Sequence, residues 1–163
     1  EKHQVLEIRY QRTHKNSTVT RRVQPVGILF SEYYFYLAAF IEGIDKEEHF
    51  ENPQDQSPTI YRIDKIETLT VTEEHFHVPY KDRFQEGEMR KRIQFMYGGE
   101  LRRIRFEYTG PSIEAVLDRL PTAKIERKTE NGWLVTAEVF GKGIEMWLGS
   151  QGVYIRNLKV STI

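Results

Sequence analysis

The segment Leu6-Glu7-Ile8-Arg9-Tyr10 alternates apolar and charged positions with a period of two, as a strand with one buried face requires. A polar turn through His14-Lys15-Asn16-Ser17 leads into a second β-rich run, Thr18 to Phe30. Pro25 lies inside that run and has no N–H to give a ladder, so the strand is expected to bulge or to lie on an edge there. Tyr33 to Ile41 is aromatic and almost continuously apolar, which predicts a central strand buried on both faces. Glu42 to Pro58 carries Gly43, Pro53, Pro58 and many charges and reads as an exposed loop. Thr59 to Ile66 and Leu69 to Glu73 complete about five strands, with no convincing helix among them. Closing them into a small barrel removes exposed edges.

The pattern changes after residue 78. Residues 79–97 read as a linker, either helical or with an end that pairs as a strand across Gly98-Gly99. Arg102 to Tyr108 alternates again as a strand. Ser112 is placed to cap a helix in which Ile113, Val116, Leu117 and Leu120 recur at i, i+3, i+4 and i+7, and Pro121 ends it. Lys124 to Lys128 and Trp133 to Phe140 are strands around Asn131-Gly132, a hairpin signal. Gly143 to Gln151 predicts a short helix stopped by Gly152, and Val153 to Val160 a final strand. Strand–helix–strand–strand–helix–strand is a ferredoxin-like order. The expected organisation is a barrel over 1–78, a linker over 79–97 and an α+β extension over 98–163.

Length allows one medium domain or two small ones, and composition is globular. Of 163 residues, 39% are apolar and 12% aromatic, which excludes a disordered chain. No apolar run is long enough to span a bilayer and no segment has the layout of a signal peptide, so no membrane association is expected. The absence of cysteine removes disulfides, thiol nucleophiles and thiolate zinc sites, and fits a reducing cytoplasm. The chain opens on Glu1 and reads as a fragment of a longer protein.

A net charge of zero conceals an asymmetry. Residues 1–80 hold 9 Lys and Arg against 13 Asp and Glu, a net of −4, and residues 81–163 hold 15 against 11, a net of +4. The densest basic group is Arg90, Lys91, Arg92, Arg102, Arg103 and Arg105, which suits phosphates or a solvated strand face. Catalytic templates find no match: there is no phosphate-binding loop, no nucleotide-binding glycine motif and no nucleophile elbow. His75 and His77, with His49, lack a further ligand at a recognised spacing, so no metal or cofactor is expected. Glu73-Glu74 and Glu47-Glu48 read as solvated acids. An enzyme is not expected.

A set of arginines and tyrosines remains around the first domain: Tyr10, Arg21, Arg22, Tyr36 and Arg62. Guanidinium forks suit phosphates and aromatic faces suit bases, although each residue also has an ordinary reading as core or surface ion-pair partner. The stretch RRVQPVGILFSEYYFYLAAF followed by YRIDKI resembles the WYL domain of bacterial regulators. The family's Arg-x-Val-x-Pro segment is matched by Arg21, Val23 and Pro25. Its Trp-Tyr-Leu triplet corresponds to Phe35-Tyr36-Leu37, and its Phe-Arg-Leu-Asp-Arg-Ile segment to Tyr61 through Ile66. Phe35 stands for the tryptophan and loses the indole N–H, and Lys65 replaces an arginine and its bidentate fork. The second half resembles the extension that follows WYL domains.

The resemblance implies an Sm-like five-stranded barrel that senses a ligand, often a nucleotide or short single-stranded nucleic acid. Tyr10, Arg21, Tyr36 and Arg62 are expected to converge on one face of the barrel, because separate strands there carry residue types suited to one anion with a base, with Arg22 and Lys65 at the rim. Which of Arg21 and Arg22 faces the site stays open. The resemblance further implies operator DNA contacted through an N-terminal helix-turn-helix absent from this chain, and a homodimer. Two other readings compete: a module that only dimerises or recruits a protein, and an accessory domain of a nucleic-acid enzyme.

Overall fold

The computed structural model describes residues 2–12, 15–80 and 83–163, so His14 of the expected first turn lies outside the described residues. The chain forms two compact units, Glu1–Glu86 and Gly87–Ile163.

The first unit is an antiparallel sheet of five strands: β1 Gln4–Arg12, β2 Ser17–Ser31, β3 Tyr34–Ile41, β4 Thr59–Arg62 and β5 Ile66–His75. They lie in the order β4-β3-β2-β1-β5. Among the described residues the ladder ends at β4 and β5, and no pairing joins these two strands. The bulge expected at Pro25 is present: Pro25 faces Ala39 and Gly27 faces Ala38, so β2 gains a residue over β3. Ile8, Val23, Leu37, Ala39 and Tyr61 form the core on one face. The bulge is covered from the other side by Phe84, since a Cβ at Gly27 would stand 2.7 Å from its ring.

Three expectations need correction here. The apolar run expected as a central strand is β3, which does pair on both sides, with β2 and β4, but is buried over only part of its length. Only Leu37, Ala38 and Ala39 are buried in it; Tyr34 and Phe35 are exposed because the β2–β3 hairpin extends past the core. The strand expected from Thr59 to Ile66 breaks after Arg62 into a 3-10 turn, Ile63–Lys65, and Ile66 begins β5. The loop over 42–58 contains a one-turn helix, α1 (Lys46–His49), capped by the Asp45 carboxylate accepting from the Glu47 and Glu48 amides.

The helix α2 (Glu86–Arg90) starts on the last residue of the first unit and leads into an irregular segment with Met89, Ile93 and Gln94 buried. Residues 97–100 form no strand; the pairing in this stretch is a single bridge between Ile93 and Phe140. Then come β6 Leu101–Tyr108, α3 Ile113–Arg119, β7 Lys124–Lys128, β8 Trp133–Phe140, α4 Gly143–Ser150 and β9 Ile155–Thr162. The strands lie in the order β7-β8-β6-β9, all antiparallel. Ser112 caps α3 as its position suggested, accepting from the Ala115 amide. The last strand starts two residues later than expected, because Gly152–Tyr154 form a 3-10 turn first. Phe106 and Ile104 of β6, Val135 of β8, Val116 of α3 and Ile144 and Leu148 of α4 meet in a single core. Among the described residues no helix is long and apolar enough to cross a membrane.

Candidate ligand site

The pairing register fixes which face each candidate occupies. Residues directly opposite in an antiparallel pair share a face, as do residues two apart along one strand. Ile8 faces Arg21, Tyr10 faces Val19 and Arg12 faces Ser17. Tyr10, Arg12 and Arg21 therefore share the face of the buried Ile8. The Tyr10 ring meets the buried Tyr61 edge-on, with centroids 5.1 Å apart and planes at 77°. Burial pushes the Tyr61 hydroxyl up to about 12; the Arg21 cation opposes that shift and Tyr10 adds to it. Arg21 therefore acts on the hydroxyl of the ring that Tyr10 meets.

Arg21 donates to the Thr20 carbonyl at 3.3 Å, and among the described residues it has no carboxylate partner. Arg12 donates from Nη2 to Ser17 Oγ at 3.0 Å, while its Nε is buried without a hydrogen-bond partner among the described residues. Arg22 points away to the opposite face. Its Nε lies 3.3 Å from Glu42 and its Nη2 2.6 Å from Glu74, and Gln24 donates to the other Glu42 oxygen. Of the two arginines, only Arg22 has carboxylate partners among the described residues.

Tyr36 and Arg62 form a second pair. They are directly opposite in β3 and β4, one step along from Leu37 opposite Tyr61, so they occupy the other face of these strands. Arg62 donates from Nε and Nη2 to the two Asp64 oxygens at 2.8 and 2.7 Å, and its guanidinium carbon sits 3.8 Å from the centre of the Tyr34 ring. This hydrogen-bonded fork holds Asp64 below the usual carboxylate range and Arg62 above its own. The Tyr36 hydroxyl is raised, chiefly by burial; Arg62 lowers it, while Tyr34, Asp64 and Tyr10 raise it further. Lys65 lies in the 3-10 turn, where its charge acts on Asp64.

The single face expected for Tyr10, Arg21, Tyr36 and Arg62 is replaced by two pairs on opposite faces, linked electrostatically through Tyr10 and Tyr36. Sequence reading passed over Arg12, Tyr34, Tyr61 and Asp64. The signal for two of them was a spacing of two residues: Arg12 follows Tyr10, and Tyr34 precedes Tyr36, each on its partner's face.

The basic group of the second unit is largely neutralised. Arg92 pairs with Glu88 at 2.6 Å and reaches Glu138, Arg102 pairs with Glu145 at 2.8 Å, and Arg103 pairs with Glu138 at 3.2 Å. Arg105 donates through Nε to Glu126 at 2.9 Å. Lys91 joins Glu88 at 3.0 Å. The Arg103 and Arg92 guanidinium groups hold Glu138 ionised, below the usual carboxylate range. His49 and His75 stand apart in their contacts: His49 is 3.7 Å from Glu48, and His75 Nδ1 is 2.9 Å from the Lys2 carbonyl.

Compared with known families, residues 1–71 match the model of the WYL domain. No curated protein matches the sequence. Among solved structures, the chain is similar to proteasome accessory factor B/C (PafBC) of Arthrobacter aurescens, with 16% identity and a TM-score of 0.42. That alignment covers 99% of this chain and 23% of the other, so the chain spans about a quarter of that protein's length.

Proposed function

We propose, from the match of residues 1–71 to the WYL domain model, that the chain is the effector-sensing part of a bacterial transcriptional regulator. The first sheet acts as an Sm-like barrel and the second unit as its ferredoxin-like extension. The strand–helix–strand–strand–helix–strand order and the sheet order β7-β8-β6-β9 support the latter reading. The effector is a nucleotide or short single-stranded nucleic acid, and the protein acts in the cytoplasm by binding, without catalysis.

The observation that carries this reading is Arg21. It is a cation without a carboxylate partner among the described residues, on the same face as the Tyr10 ring. A phosphate on Arg21 with a base against Tyr10 uses both groups for what their chemistry suits. Operator DNA is contacted through a helix-turn-helix elsewhere in the full protein, and a homodimer matches a two-fold operator. Ligand binding then biases the spacing of the DNA-binding parts by favouring one of two arrangements.

Anisotropy of a labelled single-stranded oligonucleotide tests the reading. Arg21→Ala should weaken binding and make the log–log salt dependence shallower by about 0.7, the contribution of one phosphate contact on a single strand. Joint replacement of Arg103 and Arg105 by Gln should leave binding unchanged. The opposite pattern, loss with the second-unit variant and none with Arg21→Ala, overturns the proposal. A second reading, recruitment of a protein, rests on the exposed hairpin tip, where Phe30 and Phe35 are 50% and 57% exposed with ring centroids 5.0 Å apart.

A further inference from the structure

Arg62 is the one candidate arginine whose charge and preferred donors are already engaged beside an aromatic ring. A guanidinium has five N–H donors, and its Nε/Nη2 edge is one of those suited to two parallel bonds to a phosphate or carboxylate. In this protein that edge is taken by Asp64 at 2.8 and 2.7 Å. One flat face is taken by the Tyr34 ring at 3.8 Å. The side chain nevertheless keeps 28% of its surface in solvent.

We propose that Asp64 determines what Arg62 can bind: it neutralises the guanidinium and fixes its plane. Arg62, on the face opposite Arg21, then turns phosphate away and offers its plane to a nucleobase other than the one against Tyr10. This rests on the reading of the effector as a nucleotide or single strand, and refines it. A phosphate approaching Arg62 meets an ion pair of zero net charge and an adjacent carboxylate that repels it. A planar base meets neither obstacle, because stacking on the guanidinium needs its face and not its charge-bearing edge. Arg21 presents the reverse arrangement, with its charge uncompensated among the described residues. The Asp64 fork and the Tyr34 ring together keep the guanidinium from rotating.

Two measurements decide the proposal. The first is oligonucleotide binding as a function of salt. Asp64→Asn frees the Arg62 charge, and the slope should steepen by about 0.7 as one phosphate contact is gained. Arg62→Lys keeps the charge but loses the plane, and should weaken binding. The second is titration with inorganic phosphate, followed through the arginine Nε–H signals by NMR. In the wild type the Arg21 signal should move and the Arg62 signal should not; in Asp64→Asn both should move. Asp64→Glu, which retains the charge, should restore the wild-type response and excludes a general loss of structure in the asparagine variant. A wild-type Arg62 signal that follows phosphate overturns the proposal, as does an Asp64→Asn protein with unchanged slope and a silent Arg62. If the oligonucleotide binds none of these proteins, the nucleic-acid reading falls, and the phosphate titration still decides the role of Asp64.

Discussion

Arg21 and Arg22 project from opposite faces of β2, and their surroundings differ accordingly. Arg22 lies between Glu42 and Glu74, on the outer face, while Arg21 stands on the face of Ile8 and Tyr10 with no carboxylate partner among the described residues. One residue of register thus separates a cation held between two carboxylates from one without a carboxylate partner among the described residues.

That separation predicts opposite phenotypes. Arg22→Ala removes a partly exposed network and should lower stability by about 0–1 kcal/mol, with oligonucleotide affinity unchanged. Arg21→Ala should leave the unfolding midpoint nearly unchanged and reduce affinity. Urea denaturation and anisotropy on the same two proteins check this, and a loss of affinity in Arg22→Ala alone would reverse the assignment.

Tyr61 should make the first unit sensitive to alkali. Its hydroxyl is raised from 10.0 to about 12, mainly by burial, so the folded state holds this proton more tightly than the unfolded chain does. The resulting stabilisation is fully present below pH 10.0 and is lost as pH rises through about 12. Thermal midpoints measured across that window should fall less steeply for Tyr61→Phe than for the wild type. Equal slopes would show that Tyr61 ionises without unfolding cost.

Much of this arrangement was legible in the chain. Alternation at Leu6 to Tyr10, the proline in the second strand, and the Ser112 cap each act through local geometry, and each element formed where its pattern indicated. The β3 segment was misread because continuous apolar character says that a strand is hydrophobic, not that the core reaches both of its ends. Tyr34 and Phe35 lie beyond that core, and Tyr34 is occupied instead by Arg62. The division of the site between two faces depends on register across β3 and β4, a long-range property without a local signature. The Arg62–Asp64 fork was within reach, since both residues sit in one short motif, but only the turn after β4 brings their side chains together.

Glycine positions in the second unit give a paired test of packing. A Cβ at Gly132 would stand 2.0 Å from the Tyr108 carbonyl oxygen, whereas one at Gly149 in α4 meets nothing within 4 Å. Gly132→Ala must push backbone apart and should cost about 1–3 kcal/mol. Gly149→Ala should stabilise by about 0.5–1 kcal/mol, because alanine is the better helix former. Chemical denaturation distinguishes the two, and equal effects would mean that the β7–β8 hairpin yields at no cost.

Arg12 carries the last prediction. Its Nε is a buried donor without an acceptor among the described residues, while Nη2 bonds to Ser17 at 3.0 Å. A buried donor left unsatisfied costs about 1–3 kcal/mol, more than the typical net gain of about 0.5–1.5 kcal/mol from one hydrogen bond. Arg12→Met keeps an unbranched apolar stem of similar reach and removes the unsatisfied group, so the thermal midpoint should hold or rise. Arg12 also shares the face of Tyr10 and Arg21, where its charge adds to that of Arg21. The same substitution should therefore weaken oligonucleotide binding while stability is maintained. A marked fall in the midpoint would show that the Arg12 side chain is needed to hold the end of the β1–β2 pair.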